Sequence, residues 1–167
     1  MSVTSLDFLF RIPWGSNKKS VANGFSEWTS LPPHPTQNAV GFEGEVFGEP
    51  AAVVCYFESA LFREKLRRIN VMWWLERPPD VQVESMFRLV RADLERIHGS
   101  APVEDPDTLD APPEFRQSAM LFWASPSSVT ILSLSLLRDG VSPDAPPLSM
   151  TVADRANDPD AQSFAPL

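Results

Sequence analysis

The chain reads as an α+β protein, an antiparallel sheet of about five to six strands with two helices packed mainly on one face. Three observations predict this. Apolar residues alternate over several short runs that sit close together and are separated by turn residues. One long segment carries an apolar stripe at helical spacing. The strand-like runs connect by short turns instead of alternating with helices, which favours antiparallel pairing over a parallel sheet.

Taken in order, residues 6–12 (LDFLFRI) alternate Leu6, Phe8 and Phe10 and are expected as a first strand, ended by Pro13-Trp14-Gly15. Ser16 is an N-cap residue type for a short helix over about 17–24, with Val21, Phe25 and Trp28 following at helical spacing. Pro32, Pro33 and Pro35 mark 29–39 as a loop. In 40–47, Val40, Phe42 and Val46 oppose Glu43 and Glu45, and a turn is expected at Gly48-Glu49-Pro50. Residues 51–58 (AAVVCYFE) predict a largely buried strand. Residues 59–66 read as a turn or a single helical turn. Residues 67–76 predict another strand, with Ile69, Val71, Trp73 and Leu75 on one face and Asn70, Met72 and Trp74 on the other.

Pro78-Pro79-Asp80 opens the strongest helix. Val83, Met86, Phe87, Val90, Leu94 and Ile97 form its stripe, and Glu84/Arg88 and Arg91/Glu95 are i,i+4 pairs on the wet side. His98 stands where the dipole favours a cation, and Gly99 is the expected left-handed residue that follows. Residues 117–124 and 129–138 flank Ser125-Pro126-Ser127-Ser128 and predict a hairpin. From Asp139 on, five prolines and few large apolar residues predict an irregular acidic tail, so one domain is expected over 1–138 and a tail over 139–167. Helix followed by strands occurs twice, without internal sequence repetition.

Composition bounds the function. The length of 167 residues fits one domain with a real core. Net charge is −8, which argues against phosphate-driven nucleic-acid binding. That charge is localised: segment 101–114 holds five acids and no base, and 139–167 holds five acids and one base. These segments carry −5 and −4, which leaves the remaining body at +1. Cys55 is the single cysteine, so no internal disulfide is available, and the N-terminal stretch, broken by Asp7 and Arg11, does not read as a signal peptide. No run reaches the ~18 apolar residues of a membrane span. A cytoplasmic setting is expected, with no membrane or nucleic-acid partner.

The stretch FRIPWGSNKKSV, with its Ile12-Pro13-Trp14-Gly15 turn, the Gly48-Glu49-Pro50 turn, the Tyr56-Phe57 strand, and an amphipathic helix ending in Gly99 before a final hairpin, resembles a group of small bacterial α+β domains. The layout over 6–138 is similar to the helix-on-antiparallel-sheet units of outer-membrane assembly lipoproteins and β-lactamase-inhibitor-like proteins. The resemblance implies binding through a sheet face or loops. It carries over no site residue.

Candidate chemistry is sparse. His34, in Pro-Pro-His-Pro, has no acid or cysteine beside it in sequence, and catalytic work needs a positioned partner. Two histidines exclude a multi-histidine metal site. Cys55, inside AAVVCYF, is expected as a small core residue. Glu43 and Glu45 share a strand face at about 7 Å, a spacing open to two-carboxylate hydrolysis, though an exposed strand face is the commoner meaning. No phosphate loop, H-E-x-x-H or G-x-S-x-G occurs. No cofactor, metal or catalytic residue is expected. The expected role is a protein-binding module, an immunity or inhibitor protein that neutralises a bacterial toxin or effector. Its contact residues would be Glu104, Asp105, Asp107 and Asp110 of the acidic linker, with Trp74 as an aromatic anchor on a partner with a basic surface. A secretion-system chaperone or adaptor and a hydrolase using Glu43 and Glu45 are the alternatives.

Overall fold

The computed structural model describes residues 2–33, 37–58, 64–74, 80–104, 115–137 and 146–162. Its centre is one large sheet. Three strands, β3 (Ala39–Val46), β4 (Glu49–Phe57) and β5 (Leu66–Trp73), form an antiparallel meander. A second meander follows from β7 (Phe115–Ala124), β8 (Ser128–Leu137) and β9 (Leu148–Asp154). The meanders join through their last strands, because β5 pairs antiparallel with β9. Two-residue strands trim the edges: β1 (Ser2–Val3) and β2 (Thr29–Ser30) pair with β3, and β6 (Val103–Glu104) pairs with β7. Helices α2 (Lys18–Gly24) and α3 (Asp80–His98) each precede a two-residue strand and a meander. The helix-then-strands echo in the sequence is therefore a real repetition of element order.

Four expectations are corrected. Among the described residues the sheet has nine strands, not five or six, and four helices accompany it instead of two, one of them on the reverse face. Residues 7–10 form a helical turn, α1 (Asp7–Phe10), instead of a first strand. Tertiary bonds select that conformation: Asp93 on α3 accepts the Leu6 N–H at 2.7 Å, and Ser5 Oγ accepts the Asp7 N–H at 3.1 Å. The cap of α2 is Asn17, whose side chain accepts the Ser20 N–H, whereas the Ser16 carbonyl is taken by the Leu66 N–H. Residues 148–154, expected as irregular tail, form β9 in the middle of the sheet. Leu148, Met150 and Val152 are buried on one face and alternate with Ser149 and Thr151, so the prolines at 146 and 147 mark where a strand begins.

Turn chemistry also shifts one boundary. The β3–β4 connection is the two-residue turn Phe47-Gly48, with φ of 57° and 80°, the primed turn that suits a right-twisted hairpin. Pro50 lies inside β4 opposite Glu45, before the stretch of β4 that pairs with β5, where its missing N–H leaves no bond unmade.

Register places Phe42, Val53, Val71, Met150 and Leu132 in one row across the sheet, all buried. Val83, Met86, Val90 and Leu94 of α3, Val21 of α2 and Leu9 of α1 close the core over that face. Trp73 is fully buried there, and Trp74, one residue on, is 43 % exposed, so the two indoles do take opposite faces. Gly44 makes room for Trp28: a Cβ there would sit 2.4 Å from the indole ring.

Among the described residues the opposite face is covered in part. A short helix, α4 (Pro159–Gln162), sets Ala161 against Val129 and Ala153 in a separate small cluster. Arg68 holds it in place. Its guanidinium donates two bonds of 2.7 Å to Asp158, which has no exposed surface, and a further bond to Asp160. Burial would raise the Asp158 pKa. The Arg68 bonds and charge outweigh that, aided by the N–H groups of Asp160 and Ala161, and hold its carboxyl below the usual range.

Replacing Gly44 by Ala is expected to cost about 1–3 kcal/mol through forced movement of Trp28, read as a lowered denaturant midpoint. Asp158 is depressed on folding, so its stabilisation is full above the unfolded carboxylate pKa of about 3.9 and is lost as pH falls through the lower folded value. Amide exchange in α4 should accelerate in that acidic window, and in Asp158→Asn the acceleration should already be present at neutral pH.

Candidate functional site

The groove with the most concentrated chemistry lies on the open face, at the turn end of β3 and β4. Strand alternation sends Glu43 and Glu45 to this face while Phe42 and Val46 enter the core. Pro50 and Ala52, their neighbours on β4, form a low apolar floor. Trp74 stands at the end of β5, and Thr29 of β2 approaches from the edge. These residues, with Gly44 and Ala51, line a cavity of about 410 Å³. Both glutamates are exposed.

The arrangement is two carboxylates about 7 Å apart along one strand, beside an exposed indole. It can receive a cation whose alkyl stem or guanidinium plane lies against the ring, with its charge between the acids.

The other expected contact residues stand elsewhere. Glu104 belongs to β6 at the far edge of the sheet, four strand spacings or about 19 Å from the end of β5. It is exposed and meets Arg91 of α3 at 3.5 Å, while Arg91 also bonds Glu95 at 2.9 Å. Asp105, Asp107 and Asp110 lie outside the described residues, as does His34. Trp74 and Glu104 are therefore not brought together, whereas Trp74, Glu43 and Glu45 are.

His98 has a role that its helix position hides. The ring stacks on Trp123 with centroids 5.8 Å apart and meets the Phe10 ring edge-on at 5.3 Å. Its Nε2 lies 3.1 Å from the buried Thr130 hydroxyl, and Trp123 Nε1 donates to the Ser100 carbonyl. Burial lowers its pKa, so the neutral ring is what the site favours, and the dipole-favoured cation is not its main reason for being there. Cys55 is fully buried and burial pushes its thiol up to about 12, as befits a core side chain. Among the described residues no group of three or more His, Cys, Asp or Glu side chains could hold a metal, and no helix is long and apolar enough to cross a membrane.

Sequence reasoning missed a second cavity. It has a volume of about 490 Å³ and opens on the same face at the other end of these strands, between Tyr56, Arg67, Arg68 and Asn70. The signal available for it was Asn70, a polar residue in an otherwise apolar strand.

No protein-family model, curated protein or solved structure matches this sequence.

The depressed His98 pKa fixes the sign of a pH effect. Neutral His98 supports the fold fully above the unfolded value of about 6.5, and that support is lost as pH falls toward and through the lower folded pKa. His98→Phe, which keeps an aromatic ring between Phe10 and Trp123, should flatten the fall in stability below about pH 6.5 in denaturant titrations.

Proposed function

We propose that the protein is a binding module whose partner is a protein with a basic surface. The observation that carries this reading is the juxtaposition of exposed Trp74 with Glu43 and Glu45 in a shallow groove on the outward side of the sheet. Large exposed aromatics beside charges are the residues that dominate protein interfaces, and a sheet holds them without an ordering cost. A Lys or Arg of the partner would lie over the Trp74 ring and between the two carboxylates. The acidic linker, entered through Glu104 at the opposite edge, adds long-range attraction for the same kind of surface and raises the association rate.

Within that class, an immunity or inhibitor protein neutralising a bacterial toxin or effector by one-to-one binding fits best. Blocking a basic active-site surface needs concentrated acid on a stable scaffold. The sheet-face presentation implied by the resemblance to β-lactamase-inhibitor-like domains points the same way. A secretion-system chaperone or adaptor shares the acidity. The hydrolase reading rests on the same Glu43/Glu45 pair and is weakened by their exposure.

The test is recovery of a stoichiometric partner from the native host, followed by affinity measurements. Trp74→Ala should weaken binding by about 2 kcal/mol, or roughly 30-fold. Glu43→Gln with Glu45→Gln should lower both affinity and its salt dependence, and neutralising Glu104, Asp105, Asp107 and Asp110 should lower mainly the association rate. If no partner binds stoichiometrically, or Trp74→Ala leaves affinity unchanged, the reading fails. Glycosidase or esterase turnover abolished by Glu43→Gln would establish the hydrolase instead.

A further inference from the structure

Two residues that line the second cavity, Arg67 and Asn70, each carry a buried side-chain atom without a hydrogen-bond partner among the described residues. Register along β4 and β5 pairs Tyr56 with Arg68 and Phe57 with Leu66, so Arg67 is the extra residue of a β-bulge. Bulges re-aim side chains, and here Arg67 and Arg68, consecutive on the strand, line one cavity together with Gln37, Asn38, Tyr56 and Asn70. Arg68 is engaged by Asp158 and Asp160. Arg67 is not. Its Nε is buried, has no hydrogen-bond partner among the described residues, and enters no ion pair there. Asn70 Oδ1, on the same strand, is likewise buried without a donor.

Each orphan is costly. An unmade bond to a buried polar atom costs about 1–3 kcal/mol, and more for a charged group, so native proteins rarely keep two in one place without a purpose. The pair is also chemically specific. Arg67 supplies a cationic N–H beside the rest of its planar fork, which matches a carboxylate. Asn70 supplies an acceptor, which needs an N–H. No acid lines the cavity among the described residues.

We propose that this cavity binds an α-carboxylate bearing an N–H on the neighbouring carbon, with the carboxylate on Arg67 and the N–H donated to Asn70 Oδ1. Two sources share that chemistry, a free amino acid and the C-terminal residue of a peptide. The proposal is independent of the Trp74 groove, which lies at the other end of the strands.

The experiment titrates the whole ¹⁵N-labelled protein and follows the Arg67 Nε–H and Asn70 side-chain resonances. N-acetylglycine stands for the C-terminal residue of a peptide and glycine for a free amino acid. N-acetylglycinamide, which lacks the carboxylate, and acetate, which lacks the N–H, are the controls. Saturable shifts are expected with a Kd on the order of 1 mM for ligands this small. Tighter binding of N-acetylglycine assigns the peptide terminus as the source, and tighter binding of glycine assigns the free amino acid. Arg67→Lys and Asn70→Leu should each weaken binding about 10-fold or more. Asn70→Leu should melt no lower than the parent, since it removes an unsatisfied polar atom. Absence of saturable shifts for both carboxylates overturns the proposal. So does equal affinity for N-acetylglycinamide or acetate, which requires no variant to fold.

Discussion

The pairing of β5 with β9 is the contact on which the rest of the architecture depends. Each three-stranded meander has one apolar face and an edge, and neither alone is wide enough to seat all the helices. Their last strands meet in register from Arg68 opposite Ala153 to Trp73 opposite Leu148. That brings Ile69 beside Val152 and Val71 beside Met150, four residues with almost no remaining exposure. The contact joins segments about eighty residues apart in sequence, so forming it carries the closure entropy of a long connection. It also fixes Arg68 next to Ala153, under the path of the backbone leaving β9. The clamp on Asp158 and Asp160 is a consequence of that register.

A core built on one side leaves the other side of the sheet to be accounted for. Helices α1, α2 and α3 crowd one face, where the Phe25 ring meets both Trp28 and Phe42. On the reverse, among the described residues, α4 covers the stretch around Val129 and Ala153. Among the described residues the outward side of β3 to β5 is mostly half-buried, with Leu31 beside Gly41, and its two ends differ in character. One end gathers Glu43, Glu45 and Trp74, and the other gathers Arg67, Arg68, Tyr56 and Asn70.

Ion pairs serve docking here more than bulk stability. Arg96 bonds Asp93, Asp7 and Ser5, and ties α1 to α3 across some ninety residues of sequence. Most of that network is exposed, so its worth lies in selecting a helical turn for residues 7–10 over the extended form their alternation would permit. The Arg68 clamp differs because Asp158 is wholly buried. Loss of its partner would strand a charge, which makes α4 an all-or-none addition to the sheet.

How much was legible in the sequence follows from the range of the forces involved. Period-two and period-3.6 patterns are local, so the sequence by itself determined α3 with its Gly99 end, the β7–β8 hairpin, β4, β5, and the opposed faces of Trp73 and Trp74. The same alternation placed Glu43 and Glu45 together on one outward face, which is the part of the candidate site that could be read in advance. Tertiary structure alone decided the rest. Residues 7–10 became helical because Asp93, more than eighty residues away, supplies an acceptor for Leu6. The segment 148–154 became a central strand because β5 and β8 offered two unpaired edges to a short alternating run that composition had masked with prolines and acids. The Arg67–Asn70 cavity arose from a one-residue slip between β4 and β5, an event of pairing that no single strand's sequence encodes.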